Sequence, residues 1–586
     1  MTVALGTGAL SHEALADGRW VRARGAHAEV LTSGSEVQAR RAAEHVETVH
    51  RVFQAALAPL PLRPEGSRPP LVLAFRDRGS FTSVLPLRDK QPQEVDGLIL
   101  GGTDRTYLVV HLEADDFDVA LAHEYAHYLL NPVLAAQPPW VGEGLAELLA
   151  RATVWPESAT IGRPSDGHLR RVVRDGPMPL RDVLAVGYLS ATYQGEKREL
   201  FYAQSWALVH WVVAGRHGGI PGLIAYTKAI AEGDDPATAF ARSFGMTVDA
   251  AQTSLASYVA NGALPTINLA LPATPPAPAS TADAAVVSTA AQPSPIQVSA
   301  VDPAEMDAHL GDVLLRGGRV PEARAHFSRA VAAGHSAAHE GLAAAYLRDG
   351  KLDEARRHIE SALAADPNDA RALQRRAEHI VREVATSGDV LGEAETRRAV
   401  AVLERALAAD PDLADAADLL ARLRPTPVAH RIALLRRAVA RQPERADLAF
   451  TLSSLHVKRN DLAEAARVLR RARESTRDEA HRFLTAHLLR RIGAVSSGQG
   501  EARGTIEEIE CLPRGALAFR VRTPSGVLRL TAGSPTALFL YDAEGETVER
   551  DLTCGPASIP VTARYRATTP ATETRELLSL TFGSGP

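Results

Sequence analysis

The sequence predicts three folded parts of different class in one chain: an α+β domain, an all-α repeat solenoid and a small all-β module. Three observations carry this division. Strand and helix patterns mix over residues 1–264, and an Ala-, Leu- and Arg-rich stretch with helical periodicity fills 303–492. Alternating apolar and polar residues between Gly and Pro turns then fill 503–586. Residues 265–302, rich in Pro, Ala, Ser and Thr, bury too little apolar area to offset their ordering entropy and read as a linker.

Bulk composition suits such a chain. At 586 residues several domains are expected, and 45% hydrophobic with 23% charged residues is ordinary for globular protein. A net charge of −5, with no dense Lys/Arg cluster, gives no footprint for nucleic acid. No apolar run approaches the ~18 residues of a membrane span, so no transmembrane segment is expected. Residues Met1 to Leu10 lack the basic start and long apolar core of a secretory signal, which leaves the cytoplasm as default and export open. Cys511 and Cys554 could pair in an exported protein; the plainer expectation is two small buried side chains.

Within residues 1–264, Trp20 to Leu31 reads as a strand and Ser35 to Leu57 as an amphipathic helix with a Ser cap. Pro70 to Arg76 reads as a strand, and Gly97 to Leu112 as a hairpin. Helical patterns then dominate to residue 260, apart from an irregular segment near 154–200. A small sheet followed by a helical lobe is an α+β arrangement.

The chemistry sits in Phe117 to Leu130, which reads Phe-Asp-Val-Ala-Leu-Ala-His-Glu-Tyr-Ala-His-Tyr-Leu-Leu. Its apolar spacing predicts a helix, so His123 and His127, at i and i+4, stand one above the other. Both imidazoles can then reach one Zn²⁺ at about 2.0–2.1 Å. Glu124 points about 100° round the helix from His123, the place for a general base that does not ligate the metal. A second helical pattern follows at Trp140-Val141-Gly142-Glu143-Gly144-Leu145-Ala146-Glu147. Catalytic zinc takes three protein ligands, so a carboxylate from this helix completes a His₂Glu set. The other acid, four residues away on the same face, can hold a ligand imidazole by its second ring nitrogen. Spacing from His127 favours Glu147 as ligand.

The pair H-E-x-x-H and W-x-x-E-G-x-A-E resembles the gluzincin metallopeptidases, in particular the bacterial peptidase MA-like group, whose members often carry tetratricopeptide repeats. The resemblance implies a zincin-like fold, with His123, His127 and Glu143 as ligands, Glu124 as general base and Glu147 supporting a ligand. It spans roughly residues 18–260 and is dense from 119 to 150. It also implies that Tyr202, opening the helical pattern Phe201 to Trp211, donates to the oxyanion of a tetrahedral intermediate. A strand edge beside the metal would pair with an extended peptide, a role for Tyr107 to Leu112, with Gly101-Gly102 at the hairpin tip. Residues 154–200 could form a lid. His111, His168 and His210 have no ligand-spaced partner and are expected in the core or on the surface.

The helical stretch repeats. In Leu342-Ala343-x-Ala345-Tyr346-x3-Gly350-x-Leu352-x2-Ala355-x6-Ala362-x4-Pro367, small residues sit where two antiparallel helices must touch. This looks like a tetratricopeptide repeat, with its ~34-residue period. The frame recurs at Gly311, Ala323 and Ala330; at Ala377, Ala399 and Ala406 after an insertion; at Ala421 and Ala438 after a deletion; and at Leu452, Ala465 and Ala472. Residues 480–492 could supply the capping helix such arrays need.

The leading expectation is therefore a zinc-dependent peptidase acting on a peptide or protein substrate, with a protein partner on the repeat surface. The rivals are an interaction scaffold with a vestigial or structural zinc domain, and a zinc hydrolase acting on something other than peptides. The β-module, expected as a small barrel or sandwich, shows no catalytic constellation.

Overall fold

The computed structural model describes residues 19–271 and 296–583, apart from short internal stretches, the longest being 61–68, 493–498, 533–537, 543–547 and 567–574. It divides into two compact units, Met1–Leu419 with Ala440–Gln442 and Leu420–Val439 with Pro443–Pro586.

The first unit is built on a six-stranded sheet. Strands β1 (Val21–Arg24) and β2 (Glu29–Thr32) form a hairpin where one strand was expected, because the chain reverses at Gly25, whose N–H donates to Ala28 O (2.9 Å). Helix α1 (Glu36–Ala56) begins at a Ser35–Gln38 capping box. Next come β3 (Leu71–Phe75), α2 (Arg78–Val84), a short ribbon of β4 (Leu87–Arg88) and β5 (Gln91–Pro92), and the expected hairpin of β6 (Gly97–Leu100) and β7 (Tyr107–His111). Strands β2, β3 and β7 are parallel and central.

Helices α3 (Phe117–Leu130) and α4 (Pro139–Ala150) follow, then β8 (Thr153–Val154) and β9 (Ser158–Ile161). The stretch read as irregular holds α5 (Asp166–Asp175), α6 (Leu180–Ala185) and α7 (Ala191–Gln194) before the long α8 (Arg198–Val213). Helices α9 (Gly219–Glu232), α10 (Pro236–Phe244) and α11 (Val248–Ala260) complete the lobe.

The segment 265–302 is not all linker. Its ends form β10 (Ile267–Ala270), paired with β9, and β11 (Gln297–Ala300), which pairs with β1 and closes one edge of the main sheet. Residues 272–295 lie outside the described residues.

Antiparallel helix pairs of the expected repeat kind follow among the described residues. They are α12 (Pro303–Arg316) with α13 (Val320–Ala332), α14 (Ala338–Arg348) with α15 (Leu352–Ala365), and α16 (Ala370–Thr386) with α17 (Glu393–Ala409). Then come α18 (Ala414–Arg422) and α19 (Val428–Arg441), and the pair α20 (Ala446–Lys458) with α21 (Leu462–Ser475). Ala323, Ala330, Ala355, Ala399, Ala406 and Ala465 are fully buried where helices meet. Of the expected capping helix, only part lies within the described residues; 481, 484–485, 488–489 and 492 are helical.

The sheet is buried on both faces, as continuous apolar strands require. Val72, Ala74, Leu108 and Val110 face α1, α3, α4 and α8. Their alternates Leu71, Leu73, Phe75, Tyr107 and Val109 face the first repeats, packing with Met306, Leu310, Leu314 and Phe327. Helix α3 and the first repeats thus share one sheet. No helix among the described residues is long and apolar enough to cross a membrane.

In the second unit, β12 (Gln499–Cys511), β13 (Leu517–Thr523), β14 (Gly526–Ala532), β15 (Phe539–Tyr541), β16 (Gly555–Arg566) and β17 (Arg575–Phe582) form a small barrel. An antiparallel ladder β14-β13-β12-β16-β17 closes where β17 meets β14 in parallel. Phe519, Val521, Leu530, Ala563 and Leu580 fill it. Cys511 and Cys554 are joined, Cα–Cα 5.7 Å, and both are exposed, so the expectation of two buried thiols is corrected. The cause is pairing: Cys511 ends β12, and Cys554 immediately precedes its neighbour β16.

Candidate metal centre

The centre is assembled from two helices. Asp116 caps α3 by accepting from Val119 N–H (3.3 Å), and His123 and His127 follow on one face. Their ring centroids are 4.8 Å apart, and Nε2 faces Nε2 at 3.1 Å.

Helix α4 opens on Pro139, whose missing N–H costs nothing at a helix start. Trp140 anchors it; the ring is fully buried and its N–H donates to the Tyr226 hydroxyl (3.3 Å). Of the glycines flanking Glu143, Gly144 is a spatial necessity: a Cβ there would lie 2.5 Å from Ser205 O on α8, whereas one at Gly142 would make only ordinary contact with the Tyr188 hydroxyl at 3.4 Å. Close approach of α8 therefore fixes α4, and with it Glu143.

Glu143 Oε2 lies 3.2 Å from His123 Nε2 and 3.3 Å from His127 Nε2. Three potential donors thus converge within 4.8 Å of one another. Oε2 is buried and takes no hydrogen bond among the described residues. Four ligands set tetrahedrally at ~2.0–2.1 Å from one ion lie about 3.3–3.4 Å apart, so the spacing fits a zinc-sized ion. Two imidazoles and one carboxylate are also the donor set zinc takes in catalytic sites.

The second acid does a different job. Glu147 Oε1 stands 3.3 Å from His123 Nδ1, the ring nitrogen turned away from the cluster. Its Oε2 takes His168 Nε2 at 2.9 Å, with Arg151 Nε at 3.5 Å. Glu143 is thus the acid that could complete a ligand set with the two imidazoles, while Glu147 contacts the far nitrogen of His123. Correcting the expectation for it, His168 belongs to this network. His111 and His210 are buried apart from it, His111 Nε2 facing Asp96 (3.3 Å) and His210 Nε2 bonded to Gly162 O (2.7 Å).

Charge follows the geometry. Burial alone would lower His123, but contacts with Glu143 and Glu147 hold it well above its ordinary value in the metal-free protein. Burial alone would raise the Glu143 carboxyl, yet His127 and His123 hold it well below the usual carboxylate range. Two buried carboxylates around one imidazole pair favour positive charge between them.

Tyr202 lies at the centre's side, its ring stacked on His123 with centroids 6.2 Å apart. Its hydroxyl donates to Tyr193 (3.2 Å), and the Tyr193 hydroxyl donates to Glu143 Oε1 (2.6 Å). Tyr193 and Tyr188 come from the stretch 154–200, where the sequence carries no periodic signal. Glu124 is partly exposed and lies against β6; a Cβ at Gly97 would be 2.8 Å from its Cγ. The strand edge is β6. Strand β7, expected in that role, is paired on both sides, by β3 and β6. Of the hairpin tip, Gly102 lies outside the described residues.

Comparison with known proteins reaches the repeats. Residues 307–370 and 432–480 match the tetratricopeptide repeat family. Among solved structures the chain is similar to TTC0263, a thermophilic repeat protein of Thermus thermophilus, at 21% identity over 32% of this chain and 98% of that one (TM-score 0.29). It is similar to PilF of Pseudomonas aeruginosa at 16% identity over 33% and 87% of the two chains (TM-score 0.26). MamA of Desulfovibrio magneticus is 20% identical over 32% and 95% (TM-score 0.22). No curated protein matches. The chain carries tetratricopeptide repeats, which point to a protein partner.

Proposed function

We propose that the α+β domain is a zinc-dependent metallopeptidase of gluzincin type, and that the repeats hold a protein partner or substrate. One observation carries the reading: His123 Nε2, His127 Nε2 and Glu143 Oε2, which has no hydrogen bond among the described residues, converge at zinc-ligand spacing. His123, His127 and Glu143 would hold Zn²⁺, which when bound supplies a Lewis acid that polarises a carbonyl and acidifies water. Glu124 takes the proton from the attacking water and returns it to the leaving amine. Tyr202, beside His123, would turn its hydroxyl from Tyr193 to donate to the developing oxyanion, a contribution of ~3 kcal/mol for such a group. Edge strand β6, lying against Glu124, suits an extended peptide adding as a further strand.

A second reading has its own support. The family match falls on the repeats, which favours a protein-interaction scaffold in which the metal centre is structural or vestigial. Zinc analysis and peptide-library cleavage on wild type and Glu124→Gln separate the two. Stoichiometric zinc in both, with cleavage by wild type alone, is expected. Zinc without cleavage by either protein selects the scaffold.

A further inference from the structure

We propose that Tyr193 is a positioning residue that makes Glu143 a one-oxygen ligand, an inference resting on the metal reading above. A carboxylate offers two oxygens, and a free one can swing or chelate through both. Here the two are given separate duties. The Tyr193 hydroxyl donates to Oε1 at 2.6 Å, the length of a charge-assisted O–H···O⁻ bond, while Oε2 alone faces the two imidazoles.

The carboxylate fixes the direction of the proton, because an ionised carboxylate can only accept. Tyr193 spends its one proton on Glu143, so its oxygen accepts from the Tyr202 hydroxyl at 3.2 Å. Tyr193 is itself held. It lies on α7, where its backbone N–H is capped by Ser190 Oγ (3.2 Å). Its ring packs edge-on against Tyr188 and Phe201, centroids 5.1 and 5.9 Å away. The stretch 154–200 thus reaches the centre through a hydroxyl group, setting how many ligand atoms Glu143 contributes.

The consequence is coordination number. With Oε1 engaged, two imidazoles and one oxygen leave a position open; with both oxygens on the ion, that position narrows. The test uses the full chain loaded with zinc or Co²⁺, and the variant Tyr193→Phe, which keeps the ring. Zinc affinity, read by chelator competition, is expected to fall about 10–100-fold. The visible bands of the Co²⁺ protein are expected to weaken in the variant, as a four-coordinate ion becomes five-coordinate. Unchanged affinity and unchanged bands in Tyr193→Phe would overturn the proposal while leaving the metal reading intact. Wild-type Co²⁺ protein gives an independent check: intense four-coordinate bands are expected, and weak bands overturn the proposal whatever the variant does. Wild type that binds neither ion sinks the metal reading and this inference with it.

Discussion

The two faces of the central sheet use buried polar groups in opposite ways. On the repeat face Asp312 accepts from the Tyr107 hydroxyl (2.9 Å) and is paired with Arg316 (2.9 Å) and Arg371 (3.4 Å). These cations hold its carboxyl below the usual range against the effect of burial. On the other face Glu143, also deeply buried, keeps Oε2 between two imidazoles without a hydrogen bond among the described residues. A buried carboxylate with its partners in place is a structural joint; one oriented and left short of a partner is a candidate binding site. The same chain supplies both, so the difference lies in what each group waits for.

The largest expected effect falls on the metal face. Glu143→Gln should lose zinc outright, while Glu147→Gln, which only frees the far nitrogen of His123, should weaken zinc about 10–100-fold. Equal losses would erase the distinction drawn between the two acids. Metal content after dialysis reads both.

Next comes the repeat face. Phe327 is buried against Gly311 and Gly341, where a Cβ would lie 2.8 and 2.2 Å from its ring. Phe327→Ala should cost about 3–5 kcal/mol of stability in denaturant titration. Zinc affinity of the folded variant should not move; a parallel loss would mean the faces are not independent.

A smaller effect is expected at Gly144→Ala. The added methyl would press on Ser205 O, separating α4 from α8 at a cost of about 1–3 kcal/mol, with weaker zinc binding because Glu143 rides on α4.

Acid should separate the faces in order. Imidazole ligands bind metal only unprotonated, and Glu143 and Glu147 favour the protonated His123 of the metal-free site, so zinc leaves first as pH falls. The repeat face holds longer. Glu305 is pulled to about 2 by His309 and Arg22, with burial opposing. Its folded value lies below the unfolded value of about 4.3, so its stabilisation is present above that pH and fades as pH drops toward 2. Hydrogen exchange in β1 and α12 should rise only in that lower window, after zinc release is complete.

Much of this was legible in the sequence where one element carries the whole pattern. His123 and His127 share a helix turn, Glu143 and Glu147 share another, and the buried alanines of the repeats recur at helix contacts. Gly142 and Gly144 could be read as a motif, but the reason for Gly144, the close approach of α8, could not. Tyr193 and His168 were not legible. Both come from a stretch without periodicity, and only tertiary packing carries them 50 and 21 residues away to Glu143 and Glu147. The hairpin at Gly25 was missed because apolar alternation runs on either side of a turn marked by one glycine. Strands β10 and β11 were missed because each has four residues at the margin of a Pro/Ala-rich stretch.

Everything proposed for the metal face depends on the convergence of His123, His127 and Glu143. Zinc X-ray absorption on the purified full chain tests it most directly. One zinc per chain, with two imidazole nitrogens and carboxylate oxygen at about 2.0–2.1 Å, is the predicted result. Protein that retains no zinc after loading, or zinc whose spectrum is unchanged in His123→Ala, would contradict it.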